Sequence, residues 1–200
     1  MFRHALLTLM FPAAVLFGAH SASAENRLAL VIGQSAYRSV PALPNPANDA
    51  RAVTQLLTDS GFEVSTAADL SQTQMREKVS EFADKVAARG ADTVALVFYA
   101  GHGLQIDGEN YLVPVDIDVK READIPIQAV RLNDILSTLT SVPSKMRILM
   151  LDACRNNPFP DIKKTAGEGL AIDDAKVGSP GTFLSFSTSP VRSRPRAPTP

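Results

Sequence analysis

One thiol and one imidazole in this chain have the types and spacing needed for covalent catalysis. The 200 residues include a single cysteine, Cys154, and after residue 24 a single histidine, His102. Each follows a short apolar run, Thr93 to Ala100 and Met146 to Leu151, that predicts a buried strand. In a parallel α/β sheet, residues just past the carboxyl ends of the strands line the ligand crevice. The sequence therefore predicts a cysteine nucleophile and its histidine base at one edge of a sheet.

Each of the two residues also has a structural interpretation without catalysis. Free cysteine is among the most buried residue types, so Cys154 alone is compatible with an inert core thiol. His102 alone is compatible with a structural loop histidine. Asp152 and Arg155 flank the cysteine where the apolar run breaks, and glycines flank His102, which let the backbone turn tightly and a substrate approach closely. Together these features favour catalysis.

The motifs around the pair resemble those of caspase-like cysteine peptidases of the bacterial metacaspase type. The matching pieces are the strand Leu28 to Ile32 with Asn48-Asp49, then Tyr99-Ala100-Gly101-His102-Gly103, then Asp152-Ala153-Cys154-Arg155. His102 precedes Cys154 by 52 positions, and caspases place the histidine about 50 residues before an Ala-Cys-Arg core. The resemblance implies a caspase-like three-layer α/β sandwich, with a mostly parallel sheet and helices on both faces.

The resemblance also implies roles for further residues. The backbone N–H groups of Gly103 and Cys154 would form the oxyanion hole, and a Cys–His pair would act without a third side chain. Metacaspases place acids in the pocket for the residue before the cut, and Asp49 and Asp152 match those positions. Such carboxylates favour Arg or Lys, and Arg can bind one through two parallel hydrogen bonds. Asp49 also suits the first turn of a helix, and Asp152 is also compatible with capping local amides.

Calcium is the one candidate cofactor, because members of the metacaspase group often require it and it takes oxygen ligands. The acids that suggest it are Asp116, Asp118, Glu122 and Asp124. Their spacing matches no EF-hand loop, so a solvated acidic loop is the favoured interpretation and no metal ligand is predicted. A Cys/His zinc site would need three or four ligands, which one cysteine and one histidine do not supply.

Hydrophobic patterning predicts strands that alternate with helices, which indicates a parallel sheet covered on both faces. A helix is expected over 47–60, with Ala50, Val53, Leu56 and Leu57 on one apolar face. Ser71 to Gln74 has the spacing of a capping box, which opens a helix to Arg89. Asp107-Gly108 is a hairpin turn signal. Strands are expected over 28–32, 62–67, 93–100, 146–151 and 182–187, and a short helix over 133–141.

The two ends of the sequence predict segments outside the domain. Residues 1–24 have the charged start, the apolar stretch and the Ala22-Ser23-Ala24 site of a signal peptide, which predicts a periplasmic or secreted protein. The apolar stretch is shorter than a bilayer span, so no stable membrane span is expected, and an uncleaved anchor is the disfavoured alternative. A catalytic domain is expected over 25–190, with a flexible linker at 156–181 and a disordered Arg/Pro-rich tail at 191–200. The formal net charge of −1 gives no support for nucleic-acid binding.

The favoured function is a cysteine endopeptidase that cuts proteins or peptides after Arg or Lys. Self-processing in the linker is a further expectation, and its alternative is a lysine-bearing surface loop that is never cut. After Ser189-Pro190 the family continues with a loop, a helix and a final strand, so we interpret this domain as truncated at its C-terminus. The alternative is therefore a catalytically weak caspase-like module that binds proteins. A flavodoxin-like binding domain is disfavoured, because Gly33-Gln34-Ser35-Ala36 lacks the features of a phosphate-binding loop.

Overall fold

The computed structural model describes residues 25–154, 158–159, 162, 166–167 and 180–187, with Cys154, Ala166 and Gly167 described by their backbone alone. The predicted signal peptide and tail lie outside the described residues, as does most of the predicted linker. Within the described ranges, no helix combines the length and the apolar character that crossing a bilayer would require.

Strands and helices alternate along most of the described chain, as the hydrophobic pattern predicts. In chain order the strands are β1 (Asn26–Gly33), β2 (Glu63–Ala68), β3 (Thr93–Ile106), β4 (Glu109–Leu112), β5 (Val130–Arg131), β6 (Met146–Cys154), β7 (Ala166–Gly167) and β8 (Thr182–Ser187). The helices are α1 (Pro46–Asp59), α2 (Gln72–Arg89), the single-turn α3 (Ile125–Gln128) and α4 (Leu132–Thr140), and a 3₁₀ turn covers Glu122–Asp124.

Five of the strands form a parallel sheet in the order β2-β1-β3-β6-β8. Helices α2 and α4 bury their apolar side chains against one face, and α1 covers the other. The strands β4, β5 and β7 add an antiparallel extension around the second half of β3. The predicted fold class is confirmed: a mostly parallel α/β sheet lies between two helical layers.

Local sequence signals predicted several elements correctly. The capping box opens α2, since Gln74 N donates to Ser71 Oγ at 3.3 Å and Ser71 N donates to Gln74 Oε1 at 3.0 Å. Asp107 and Gly108 both have positive φ, 50° and 78°, in the turn between β3 and β4. The face predicted for α1 is partly wrong, because Leu56 is 65% exposed while Leu57 is buried. Successive helical residues are about 100° apart around the axis, so Leu57 faces the sheet while Leu56 points away from it.

The main error of the sequence prediction concerns the strand that carries His102. Apolar patterning ends it at Ala100, whereas β3 continues without a break to Ile106. The second half of β3 pairs with β4, and its residues form a second core cluster that includes Leu104 and Ile106. The hairpin turn at Asp107-Gly108 is predicted correctly, but the apolar run from Thr93 to Ala100 does not show that the strand continues through His102 into that hairpin.

Candidate active site

The parallel pairing of β3 with β6 places His102 and Cys154 in register as neighbouring backbone positions. Adjacent strands lie about 4.8 Å apart, so two rigid strands bring the predicted nucleophile and base together. The sequence predicted both residues just past strand ends, but each lies within its strand. The site is therefore attached directly to the sheet.

The imidazole of His102 is buried, with 5% of the residue exposed. Its Nε2 lies 2.8 Å from the backbone oxygen of Pro41. A carbonyl oxygen can only accept, so Nε2 carries the hydrogen of the neutral ring and Nδ1 carries the lone pair. Nδ1 is also buried, and no hydrogen-bond partner for it occurs among the described residues. The ring thus presents Nδ1 as its basic atom.

The pKa of His102 is lowered, chiefly because burial disfavours the charged ring, while the hydrogen bond with Pro41 raises it in part. A lowered pKa extends to lower pH the range in which the imidazole is neutral and so able to take a proton. The neutral ring is the form that general-base catalysis requires.

Gly101 has a different function from the tight turn predicted for it, because it lies in the extended strand β3. A Cβ atom at this position would lie 2.6 Å from the hydroxyl oxygen of Tyr37 and 2.7 Å from that of Tyr99. Any side chain would therefore displace the two tyrosines. Glycine is required here to admit two hydroxyl groups beside the backbone of His102.

The segment that supplies Pro41 and Tyr37 is held from several sides. Asp69 accepts hydrogen bonds from the backbone of Ser35 and Ala36, at 2.7 and 2.8 Å. Arg38 N donates to the carbonyl oxygen of Val115 at 3.0 Å. Beyond Pro41, Leu43 N donates to the carbonyl oxygen of Ser35 at 3.1 Å. Hydrogen bonds therefore hold the stretch on both sides of Pro41, and its carbonyl is kept in place for Nε2.

The backbone of Gly103 is oriented toward β6. Val113 N donates to the carbonyl of His102 at 3.1 Å, so the main-chain groups of His102 point away from β6. Successive residues of a strand direct these groups to opposite sides. The N–H of Gly103 therefore points to the side on which Cys154 lies, as an oxyanion-hole donor must.

Asp49 and Asp152 lie near each other at the same edge of the sheet. Asp49 is in the first turn of α1, and this end of α1 approaches β1 so closely that a Cβ on Gly33 would lie 2.9 Å from that of Ala50. Burial raises the pKa of the Asp152 carboxyl, the negative charge of Asp49 raises it further, and a hydrogen bond with Ser187 opposes both effects. The two carboxylates thus repel each other, and a cation would relieve that repulsion.

The acidic residues considered for calcium have other partners. Asp116 accepts from Gln72 N at 3.0 Å, Asp118 pairs with Lys120 at 2.7 Å, and Asp124 pairs with Arg121 at 2.9 Å. In the part of the chain that the structure describes, no three His, Cys, Asp or Glu side chains converge closely enough to hold a metal ion. These residues therefore do not fit a calcium site.

Sequence analysis assigned no contribution at the site to four residues that the structure places there. Pro41 contributes a backbone carbonyl, for which a sequence has no signal, and the contact of Ser187 with Asp152 depends on the pairing of β6 with β8. Tyr99 did have a signal, because a tyrosine in an otherwise apolar strand needs a partner for its hydroxyl. Tyr37 lies in an irregular segment with no periodicity to interpret.

Comparisons with known proteins place this chain among relatives of known family. Residues 26–196 match the family described as the caspase domain. The chain is 30% identical over 139 residues to human mucosa-associated lymphoid tissue lymphoma translocation protein 1, and 29% identical over 139 residues to its mouse homologue. Each alignment covers 69% of this chain and 16% of the relative, so the chain matches a small part of those longer proteins.

Proposed function

The chain belongs to the caspase-domain family of cysteine peptidases, and on that premise we propose that it is a cysteine endopeptidase with a Cys154–His102 dyad. The observation that carries the proposal is the register of β3 and β6, which pairs the sole cysteine with a buried histidine. The free Nδ1 of that histidine is the base that a cysteine nucleophile needs.

In the proposed mechanism, His102 Nδ1 takes the proton of the Cys154 thiol while the sulfur attacks the carbonyl carbon of the scissile peptide. The N–H groups of Gly103 and Cys154 stabilise the oxyanion, and loss of one such donor costs about 2.7–4 kcal/mol. The imidazolium then donates its proton to the leaving amine. Water, deprotonated by the same nitrogen, releases the acid and restores the thiol. The Pro41 carbonyl stabilises the imidazolium by accepting from Nε2.

We further propose that Asp49 and Asp152 bind an Arg or Lys side chain immediately before the cut. Support comes from their mutual repulsion and from the partly buried position of Asp152, where a cation is more strongly attracted than in water. The Ser187 hydrogen bond orients the Asp152 carboxylate for this contact. An aspartate substrate would add a third negative charge, and like-charge contacts of this kind cost several kcal/mol.

Fluorogenic peptides that end in Arg, Lys or Asp test this specificity. We expect cleavage after Arg and Lys and none after Asp. Asp152→Asn should lower kcat/KM for basic peptides about tenfold or more, because a hydrogen bond to a charged group contributes about 1.5–3 kcal/mol. Asp118→Asn is the matched control, since it removes an acid that pairs with Lys120 elsewhere, and its kinetics should be unchanged. Efficient cleavage after Asp by the unmodified protein would show that the pocket assignment is wrong.

The raised pKa of Asp152 predicts how binding of basic peptides depends on pH. An acid with a raised pKa takes up its proton at a higher pH than an ordinary Asp. As the pH falls, KM for Arg peptides should therefore begin to rise above the range in which ordinary aspartates titrate. This rise should disappear in Asp152→Asn, and a KM profile with the same rise in both proteins would assign the titration to another group.

Self-processing is proposed at Lys163, Lys164 or Lys176, which lie outside the described residues. The described parts of the same segment adjoin the domain, since Phe159 is buried and β7 pairs with β3. A tethered basic residue is present at high effective concentration. We expect intact-mass measurement to find cleavage after one of these lysines in the unmodified protein and none in Cys154→Ala. A single uncut species in both, in a preparation that hydrolyses peptides, would refute self-processing.

A further inference from the structure

His102 lies beyond the point at which strand β1 stops pairing with β3. Strand β1 pairs with β3 as far as Gly33, opposite Ala100. No residue of β1 is therefore available to the main-chain groups of His102 that point to that side. A buried N–H left without a partner costs about 1–3 kcal/mol, so another group has to satisfy it.

Tyr37 supplies that group. Its hydroxyl oxygen accepts from His102 N at 2.8 Å. The Tyr99 hydroxyl donates to the carbonyl of the same residue at 2.7 Å, and the two hydroxyl oxygens are 3.5 Å apart. A short chain of hydrogen bonds therefore joins the N–H of His102 to its own carbonyl through two tyrosines. Both tyrosines are buried, at 7% and 0% exposed, where such bonds are stronger than in water.

The ring of Tyr37 also covers the imidazole. The two ring centroids are 4.6 Å apart, and the ring planes are tilted by 52°. With the Pro41 carbonyl on Nε2, this contact leaves the imidazole little freedom to rotate. One side chain therefore holds both the backbone and the ring of His102.

We propose that Tyr37 is a positioning residue that holds His102 in the orientation in which Nδ1 serves Cys154. The inference rests on the proposed endopeptidase function. Tyr37 does not touch the reacting atoms, and it acts through the geometry of His102. A displacement of about 1 Å in a catalytic group can lower the rate about 100-fold. Tyr37→Phe keeps the aromatic ring but removes the hydroxyl that holds the His102 backbone, so we expect it to lower the catalytic rate.

Tyr37→Phe is the first test, with Tyr111→Phe as its matched control. Tyr111 is a buried tyrosine of the same core cluster, but it pairs with Leu104 and its hydroxyl bonds to Arg131. For Tyr37→Phe we expect kcat for an Arg peptide to fall about 100-fold with KM unchanged, the signature of an interaction that acts in the transition state. Tyr111→Phe should leave both constants unchanged.

The rate at which iodoacetamide alkylates Cys154 provides a readout that needs no peptide turnover. In the presence of His102, Tyr37→Phe should slow alkylation and change its pH profile. In the His102→Ala background, the same substitution should have no further effect, because the residue through which it acts is gone. A merely structural contribution of Tyr37 would persist in that background, and that result would overturn the inference.

A further test observes the imidazole of His102 directly in the unmodified protein. In ¹⁵N NMR, the His102 signals, assigned by their loss in His102→Ala, should show a neutral ring with hydrogen on Nε2 that exchanges slowly with water. In Tyr37→Phe that exchange should accelerate. A ring that exchanges rapidly or carries its hydrogen on Nδ1 in the unmodified protein would refute the inference.

These experiments distinguish a failure of positioning by Tyr37 from a failure of the proposed peptidase activity. If the unmodified protein cleaves peptides and Tyr37→Phe matches it in kcat and in alkylation, positioning by Tyr37 is wrong and the peptidase stands. If no peptide is cleaved but Tyr37→Phe changes alkylation only when His102 is present, Tyr37 still positions the histidine and the proposed turnover is wrong.

Discussion

Cys154→Ala is expected to abolish peptide hydrolysis, with a fall in kcat of about a millionfold, the scale seen when a nucleophile is removed from a coupled catalytic unit. The chain contains no second cysteine that could replace it. The fold should be unaffected, since alanine is readily accommodated in a strand next to Ala153. The measurement is hydrolysis of an Arg peptide, together with a thermal unfolding curve.

Met150→Ala is a matched control for Cys154→Ala. It shortens another side chain of β6, one that is partly exposed to solvent, and it should keep most of the activity. Retained hydrolysis in Cys154→Ala at an unchanged unfolding temperature would rule out the cysteine mechanism. Loss of activity in both variants would instead indicate that β6 tolerates no truncation.

His102→Ala is expected to lose a comparable amount of hydrolytic activity, because a thiol without its base is a weak nucleophile near neutral pH. The double variant Cys154→Ala/His102→Ala should be no worse than either single one, since residues that act as a unit are strongly non-additive. A double variant much less active than both would show that the two residues contribute independently.

The lowered pKa of His102 predicts how folding stability depends on pH. The unfolded chain takes up a proton at this histidine near its ordinary pKa, and the folded protein does so only at a lower pH. Folding stability should therefore fall as the pH drops through the ordinary histidine range. In His102→Ala this part of the acid destabilisation should be absent from unfolding curves measured between neutral and mildly acidic pH.

Much of the fold could be predicted because local sequence and tertiary structure agree. The capping box at Ser71, the turn at Asp107-Gly108 and the strand Thr182–Ser187 all occur where the sequence predicts them. Each depends on neighbouring residues or on a short periodic pattern. The alternation of such elements was enough to indicate a parallel sheet with helices on both faces.

A candidate site could be proposed from the sequence only through residues of distinctive chemistry. His102, Cys154, Asp49 and Asp152 are such residues, and the structure places these four positions at one edge of the sheet. The contacts of His102 with the Pro41 carbonyl and the Tyr37 hydroxyl depend on a long irregular segment that folds back onto β3. No local pattern encodes that path, because it is held by bonds to residues as distant as Asp69 and Val115.

In the proposed mechanism, Cys154, activated by His102, attacks the carbonyl that follows a basic residue. This attack is tested by intact-mass and peptide-mass analysis of the full chain after incubation with a peptidyl-Arg acyloxymethyl ketone, which alkylates a thiol by losing its carboxylate. We predict one adduct per chain, located on Cys154, with no adduct in His102→Ala and none from the corresponding Asp reagent. Adduct formation that is equally fast in His102→Ala, or faster with the Asp reagent, would refute this mechanism.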